Sequence, residues 1–293
     1  YRLVHGEGDE LPGLVLDRYD DVIVGQAGTA GMEAMKADVV AAVRRVVAPR
    51  LFVWKNDSAA RELEGLPAYV EADGGEVPAS VLVEENGISF RAPLASGQKT
   101  GWFFDQAANR RALLKYVPGA RVLDVFSYVG AWGLAASKAG ASEVTCVDAS
   151  ATALAAIGQT AAAHGLDVRS MKGDAFDALA ELQRSGARYD VVILDPPAFI
   201  KRRKQIPRGE AAYRRLNQLG LQLLAPDGIL VSCSCSYHLA ADNLLALLQK
   251  AARHSGRFLQ LLESGGQSPD HPVHPAIPET RYLKAFFCRA VQE

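Results

Sequence analysis

Long apolar runs are missing from the 293 residues of this chain. No segment approaches the roughly 18 consecutive apolar residues that a membrane-spanning helix needs. The first residues, Tyr-Arg-Leu-Val-His, contain neither the charged leader nor the apolar core of a secretory signal peptide. The sequence therefore predicts a protein without a membrane segment, and we expect it in the cytoplasm.

Cysteine is scarce, with only four in the chain: Cys146, Cys233, Cys235 and Cys288. They are too few and too unevenly spaced for a disulfide framework in a chain of this length. A zinc site built on Cys233 and Cys235 would need two more ligands. His271 and His274 are the candidates, and nothing in the sequence places them near these cysteines. We predict reduced thiols and no bound metal.

Neither sign of charge dominates, since 32 basic and 33 acidic residues leave a formal net charge of -1. Bulk charge therefore neither favours nor excludes a polyanionic partner. Any such partner must bind to a local cluster of basic residues.

Residues 1–92 predict a small α+β domain. Short apolar segments at 13–18 and 21–25 predict strands. Valines at helical spacing predict a helix over 35–47, with these residues on one face: Val39, Val40, Val43, Val46 and Val47. Segment 80–91 predicts a hairpin, because Asn86-Gly87 suits a type I′ turn between alternating segments.

Residues 93–293 predict a doubly wound α/β domain with a Rossmann-like sheet. Five apolar segments alternate with helical segments, at 121–126, 143–148, 168–172, 189–194 and 228–235. This alternation is typical of a mainly parallel sheet with helices on both faces. The last strand, over 282–291, follows a Pro-rich stretch without a crossover helix, so we expect it to be antiparallel.

The loop after the first of these strands is a candidate ligand site. The strand ends at Phe126 and a helix begins at Ala131, so Tyr128 and Gly130 lie at a helix N-terminus. Glycine there lets a ligand approach the backbone. A single Gly-rich turn is weak evidence, because many such loops only connect a strand to a helix.

Acidic residues at the ends of three further strands strengthen this prediction: Asp148, Asp174 and Asp195. The carboxyl ends of parallel strands share one edge of the sheet, where ligands bind. Each aspartate alone is more simply explained as a helix cap. Together they predict a nucleoside site with Asp148 at the ribose. The loop lacks the glycine pair that packs a pyrophosphate, so we favour S-adenosylmethionine over a nicotinamide dinucleotide.

The segment Asp195-Pro196-Pro197-Ala198-Phe199 predicts a reactive centre. Two prolines fix the backbone, while an exposed aromatic ring can stack on a base and a carboxylate can bond its edge. The alternative is that the prolines only end a strand. A basic cluster follows directly, and its position favours contacts with phosphates over a merely solvated face. Its members are Lys201, Arg202, Arg203, Lys204 and Arg208, with Arg214 and Arg215 further along the chain.

Cys235 is the candidate nucleophile. It lies at the carboxyl end of the strand over 228–235, where catalytic groups of this architecture collect. Cys146 and Cys288 lie within apolar strands and are expected to be buried and inert. For Cys233 both roles stay open.

These segments together resemble the bacterial 23S ribosomal RNA cytosine-5 methyltransferases of the large-subunit type I family. The resemblance runs from about His5 to the end of the chain. It rests on segments 2–7, 11–14, 97–106 with Arg110, 126–130, 195–199, Tyr213 with Asn217, 234–236, 270–273 and 282–284. Two positions depart from the family pattern: Asp124 stands where the family often has Asn, and Ala198 where it often has Lys.

The resemblance implies a class I methyltransferase domain after a small α+β domain. Family members also carry an N-terminal PUA domain, which we expect this chain, beginning at Tyr1, to lack. The resemblance further implies a cofactor contact by Thr100 and 23S ribosomal RNA as the partner. It leaves a homodimer open.

The mechanism that the resemblance implies uses Cys235 and Asp195. The thiolate adds to cytosine C6, Asp195 bonds N3, C5 takes the methyl group, and an unidentified base removes the C5 proton. Two alternatives stay open. One is a methyltransferase for an exocyclic nitrogen of guanine or adenine, which needs no cysteine. The other is a non-catalytic RNA-binding protein on a methyltransferase fold.

Overall fold

The computed structural model of the chain describes residues 1–94, 97 and 99–292. Gln98 of the family segment 97–106 lies outside them. The chain forms two compact units, one of Tyr1–Glu85, Ser89–Ala107 and Ser268–Arg281, the other of Asn86–Ile88, Ala108–Gln267 and Tyr282–Glu293. This division differs from a single boundary after residue 92, because a late segment of the chain returns to the first unit.

The first unit contains a five-stranded sheet in the order β1-β2-β3-β4-β5. All neighbouring strands are antiparallel except β3 and β4. The strands are β1 (Arg2–His5), β2 (Leu14–Tyr19), β3 (Val22–Ala27), β4 (Leu51–Asn56) and β5 (Tyr69–Asp73), and the helices are α1 (Ala30–Ala34), α2 (Lys36–Val47) and α3 (Ala60–Leu63). The predicted α+β class of this region is confirmed.

Helix α2 packs on this sheet through Val40 and Val43, which join a core with Leu16, Ile23 and Phe52. Val46, predicted on the same face, is instead 78% exposed. At 100° per residue it lies about 90° from the midpoint of Val40 and Val43. Its assignment to the buried face was wrong.

Strands β6 (Ser80–Glu85) and β7 (Ile88–Pro93) form the predicted hairpin as a separate two-stranded sheet. Asn86 and Gly87 have φ of 52° and 75°. A type I′ turn requires positive φ at both central residues. The predicted turn at Asn86-Gly87 is confirmed.

The second unit contains the remaining helices and strands. They are α4 (Ala107–Leu113), β8 (Arg121–Val125), α5 (Ala131–Lys138), β9 (Glu143–Asp148), α6 (Ala151–His164), β10 (Arg169–Lys172), α7 (Ala175–Arg184), β11 (Tyr189–Leu194), α8 (Ile206–Leu223), β12 (Leu224–Ser234), α9 (Ala241–Arg253), β13 (Arg257–Gly265) and β14 (Lys284–Gln292). Ala107, the first residue of α4, belongs to the other unit.

The sheet of this unit has the order β10-β9-β8-β11-β12-β14-β13. The first five strands are parallel, and β14 pairs antiparallel with both β12 and β13. The doubly wound class and the antiparallel last strand are confirmed. Strand β13 was not predicted, because its exposed Phe258, Leu261 and Leu262 interrupt the alternation of apolar and polar residues expected of an edge strand.

The core of the second unit lies between the sheet and α7, α8 and α9, where Leu123, Val192, Leu216, Leu230 and Leu248 are fully buried. Among the described residues, no helix is both long and apolar enough to cross a membrane. The sheet brings the ends of β8, β9 and β11 side by side, and the candidate site lies at those ends.

Candidate active site

The loop between β8 and α5 has an uncommon backbone. Phe126 and Tyr128 have φ of 65° and 50°, in the left-handed region, and Gly130 has φ of 83°. Non-glycine residues rarely adopt this region, and such strain concentrates at ligand sites. The Ser127 hydroxyl fixes the loop by donating to the carbonyl oxygen of Asp124 at 2.8 Å.

Asp148 ends β9 and holds this loop. Its Oδ2 accepts a hydrogen bond from the backbone N–H of Tyr128 at 2.8 Å, and its Oδ1 accepts one from Ser150 at 2.8 Å. The side chain is half-buried. Each carboxylate oxygen can accept more than one hydrogen bond, so Asp148 keeps acceptor capacity for a ligand.

Asp174 follows β10 and is the N-cap of α7. Its Oδ1 accepts hydrogen bonds from the backbone N–H groups of Phe176 at 2.8 Å and Asp177 at 3.4 Å. The capping explanation therefore accounts for one oxygen. The residue is exposed, and Oδ2 takes no part in the cap.

Asp195 follows β11 and lies against the same loop region. Its backbone N–H donates to the carbonyl oxygen of Val125 at 3.4 Å. Its Oδ2 accepts a hydrogen bond from the indole Nε1 of Trp132 at 3.0 Å. Trp132, on α5, is only 3% exposed and has no predicted role. Asp195 is therefore tied to both the strand and the helix that flank the candidate cofactor loop.

Phe199 is half-buried, not exposed as its predicted stacking role assumed. Its ring centroid lies 4.8 Å from that of Tyr213, 6.3 Å from Phe176 and 6.5 Å from Phe126. The apolar ring packs there because the core extends to this loop. Of the two prolines, Pro196 is buried and Pro197 is exposed.

Cys235 lies one residue beyond β12 and beside the Asp-Pro-Pro segment. Its Sγ is 4.0 Å from the carbonyl oxygen of Pro196. Cys235 is half-buried, whereas the other three cysteines are buried. Burial raises the pKa of Cys146 and raises that of Cys288 to about 12, which keeps both as neutral thiols. The predicted burial of Cys146 and Cys288 is confirmed, and Cys233 is buried as well.

A buried hydroxyl network fixes the backbone on both sides of Cys235. The Tyr213 hydroxyl lies 2.9 Å from Ser234 Oγ and 2.9 Å from Ser236 Oγ, which also accepts the Ile200 N–H at 3.1 Å. Burial, and secondarily the charge of Cys235, raise the pKa of Tyr213, so its phenol stays neutral. Tyr213 thus bridges the serines on either side of Cys235, and Ser236 connects this segment with Ile200.

Lys284, the first residue of β14, also contacts this segment. Its Nζ donates to the carbonyl oxygens of Ser236 at 2.6 Å and Tyr282 at 2.9 Å, and the residue is 8% exposed. No role was predicted for it beyond its place in the family segment 282–284. The signal that could have indicated a role for Lys284 is its position at the start of an otherwise apolar strand.

Asp124 lies inside β8, beneath the loop. Its Oδ2 accepts the Gly133 N–H at 3.0 Å, whereas Oδ1 has no hydrogen-bond partner among the described residues. Burial, with smaller contributions from the charges of Asp195 and Asp148, raises the pKa of Asp124 to about 7. A side chain on Gly133 would clash, since a Cβ there would be 2.4 Å from Cys146 Sγ.

The basic cluster lies on the surface, and all its members are exposed: Lys201, Arg202, Arg203, Lys204, Arg208, Arg214 and Arg215. Gln205 Oε1 accepts the backbone N–H groups of Lys201 and Arg202, both at 3.0 Å, and so fixes the start of the segment. A 3-10 turn and α8 follow. No described acidic side chain forms an ion pair with these cations, so they are available to a polyanion.

Thr100 lies in the first unit, where its hydroxyl donates to the Asp17 carboxylate and is fully buried. A cofactor contact by this residue therefore stays a prediction. Among the described residues, no group of three or more His, Cys, Asp or Glu side chains is arranged to hold a metal ion.

A cavity of about 610 Å³ opens elsewhere in the second unit, lined in part by Arg121, Arg188 and Arg257. Arg121 and Leu224 begin their strands, so this cavity lies at the edge of the sheet opposite the strand ends described above. Arg257 donates to the carbonyl oxygen of Leu224 at 2.6 Å. The cavity is separate from the candidate active site.

The fold and this site define an S-adenosylmethionine-dependent methyltransferase. The model of the S-adenosylmethionine-dependent methyltransferase family matches residues 42–289. Ribosomal RNA large subunit methyltransferase I of Aeromonas salmonicida is 39% identical over 294 residues, covering 99% of this chain and 74% of the relative. The protein of the same name from Klebsiella pneumoniae is 35% identical, with the same coverage.

Solved structures agree with this assignment. The crystal structure of SMU.776 complexed with SAH matches 99% of this chain and 74% of that chain, with a TM-score of 0.85 and 27% identity. Trm5b from Pyrococcus abyssi, at 14% identity and a TM-score of 0.67 over 94% of this chain and 74% of that chain, shares the fold. The chain belongs to the ribosomal RNA large subunit methyltransferase I family, and its cofactor is S-adenosylmethionine.

Proposed function

We propose that the chain methylates C5 of a cytosine in 23S ribosomal RNA, with Cys235 as the nucleophile. One observation carries the proposal: the single half-exposed cysteine lies 4.0 Å from the Pro196 carbonyl, next to Asp195. A cysteine at this position can serve as the nucleophile in C5 methylation, because cytosine C5 becomes nucleophilic only after a group adds to C6.

The residues at the strand ends fit the cofactor. Asp148 would accept hydrogen bonds from the ribose hydroxyls, and the free oxygen of Asp174 would accept one from the adenine amino group. Phe126, Tyr128 and Gly130 would line the cofactor from the loop. Thr100 remains a further proposed contact. When bound, S-adenosylmethionine supplies an electrophilic methyl group on a sulfonium.

The protein side chains carry the other steps. The Cys235 thiolate forms a bond to C6 while the carboxyl group of Asp195, in its protonated form, donates a hydrogen bond to N3, which draws electron density from C6. The C5 carbon then takes the methyl group. Loss of the C5 proton to a base and release of the thiolate restore the aromatic ring. Trp132 holds the Asp195 carboxylate in place by its hydrogen bond.

The RNA substrate is supported by the relatives' name and by the basic cluster. The cluster begins two residues after Phe199 and has no acidic partner among the described residues. We propose that it contacts RNA phosphates while Pro196, Pro197 and Phe199 shape the base pocket. The target base would have to be single-stranded or extruded to reach Cys235. A cytoplasmic location is part of the same proposal.

An exocyclic nitrogen of guanine or adenine is the second candidate target. The observation that favours it is the Asp-Pro-Pro segment followed by Phe199, since a carboxylate and a fixed carbonyl can bond an amino group without help from a cysteine. This reaction predicts that Cys235 is dispensable.

Trapping on RNA that contains 5-fluorocytidine separates the two targets. Fluorine at C5 cannot leave as a proton does, so the Cys235 adduct should persist and slow the protein on a denaturing gel. Cys235→Ala should give no adduct, whereas Cys233→Ala, the buried neighbour, should retain it. Full methylation by Cys235→Ala, or no adduct with the parent protein, would sink the cytosine-5 proposal.

A further inference from the structure

The buried ammonium of Lys284 lies beside Cys235 and has no carboxylate partner among the described residues. Lys284 is 8% exposed and donates to two uncharged acceptors, the carbonyl oxygens of Ser236 and Tyr282. Among the described residues, no aspartate or glutamate forms an ion pair with it. Burying an ammonium is unfavourable unless a negative charge compensates it. A negative charge on a neighbouring group of another kind would stabilise this ammonium.

Cys235 is positioned to supply that charge. In the antiparallel pairing of β12 and β14, Lys284 lies opposite Ser234, the residue before Cys235. The Lys284 ammonium is also bonded to the carbonyl of Ser236, the residue after it. Lys284 thus contacts the chain on both sides of the cysteine. Burial lowers the pKa of Lys284 to about 8, and a negative charge on Cys235 opposes that shift.

We infer that Lys284 and Cys235 form an ammonium–thiolate pair that holds the cysteine in its reactive form. The thiol loses its proton to solvent, and the ammonium keeps its three. A cation next to a cysteine favours the thiolate. Lys284 is thus a positioning residue. Its role in methyl transfer rests on the proposed function, whereas the pair itself is a property of the folded chain.

Two other ionisable groups belong to segments that contact Cys235. Asp195 precedes Pro196, whose carbonyl oxygen lies 4.0 Å from Cys235 Sγ, and an ionised Asp195 disfavours a thiolate. The hydrogen bond from Trp132 takes up part of that charge. Tyr213 stays a neutral phenol. Lys284 is therefore the group whose removal should raise the pH at which Cys235 becomes reactive.

The test measures the rate of Cys235 alkylation by iodoacetamide from pH 5.5 to 10, with peptide mass spectrometry to separate the four cysteines. Lys284→Gln should shift the midpoint of the rate profile upward by about 1–2 pH units and slow alkylation at pH 7 about tenfold or more. Lys284→Arg, which retains a cation, should restore most of the reactivity. Lys250→Gln removes an exposed ammonium of α9 and serves as the matched control.

Binding of S-adenosylmethionine by each variant shows that the second unit has folded. Equal midpoints of the alkylation rate profile in the parent and in folded Lys284→Gln would overturn the proposed ammonium–thiolate pair. If Lys284→Gln fails to fold, the Lys284→Arg profile decides: a midpoint that stays near the parent's supports the pair, and one near that of a free thiol overturns it. Because no RNA is present, a failed cytosine-5 proposal leaves this outcome unaffected.

Discussion

The indole of Trp132 donates a hydrogen bond to the Asp195 carboxylate at 3.0 Å, and so links the helix after the cofactor loop to the Asp-Pro-Pro segment. Trp132 is buried, so its N–H needs this acceptor. The same contact fixes the carboxylate that we propose for the edge of the target base. This one side-chain pair therefore connects the proposed cofactor loop with the proposed base pocket.

Trp132→Phe tests this coupling. The phenyl ring keeps most of the buried apolar area but removes the donor, so Asp195 loses this hydrogen bond. We expect kcat to fall about tenfold, because a hydrogen bond to a charged group contributes about 1.5–3 kcal/mol. Cofactor affinity, measured by calorimetry, should change much less. A variant with unchanged kcat would show that Asp195 needs no such support.

Asp148→Ala tests the assignment of the ribose site. Removing the carboxylate deletes the proposed acceptors of the ribose hydroxyls and the contact to Tyr128 N–H. We expect the affinity for S-adenosylmethionine to fall about 10- to 100-fold by calorimetric titration. Asp167→Ala, at an exposed position after α6, is the matched control. Parent-like affinity in Asp148→Ala would refute the assignment.

The basic cluster predicts a specific dependence of RNA binding on salt. Each phosphate contact adds about 0.7–0.9 to the slope of log affinity against log salt. Replacing both Lys201 and Arg202 by Ala should therefore lower the slope by about 1.4–1.8. The double replacement of Lys250 and Arg253, exposed on α9, should leave it unchanged. Equal slopes in both double variants would exclude the cluster from the RNA interface.

Asp124 predicts a pH-dependent stability. Burial raises its pKa from 3.8 to about 7. Between these values the folded chain binds a proton that the unfolded chain has released, so this residue's contribution to stability falls as pH rises from about 4 to about 7.

Asp124→Asn should remove this loss of stability at higher pH, because a neutral amide mimics the protonated acid. In urea unfolding at pH 8, the variant should be more stable by up to about 4 kcal/mol, the equivalent of a three-unit pKa shift. The difference should shrink toward zero near pH 4. If parent and variant show the same pH dependence, Asp124 is not the buried acid described here.

Local signals predicted much of the fold. Asn86-Gly87 specified its turn, and the apolar segments specified five parallel strands, because the relevant interactions are near in sequence. The edge strand β13 was missed because its outer residues are themselves apolar. The return of segment 268–281 to the first unit depends on long-range packing, which no local pattern encodes.

The candidate site divides in the same way. Strand-end positions predicted Asp148 and Asp195, which the structure brings to one loop. The partners of these residues could not be predicted. Trp132 and Lys284 lie on other elements, α5 and β14. Their contacts could be predicted only from the order of strands in the sheet, which the sequence does not show. Phe199 was misjudged because exposure depends on neighbours distant in sequence.

The most direct test of the central claim is to identify the methylated nucleoside. Unmethylated 23S ribosomal RNA, incubated with the protein and isotopically labelled S-adenosylmethionine, is digested and analysed by mass spectrometry. We expect label in 5-methylcytidine with the parent chain and none with Cys235→Ala. Label in N2-methylguanosine or N6-methyladenosine, or 5-methylcytidine formed equally well by Cys235→Ala, would contradict it.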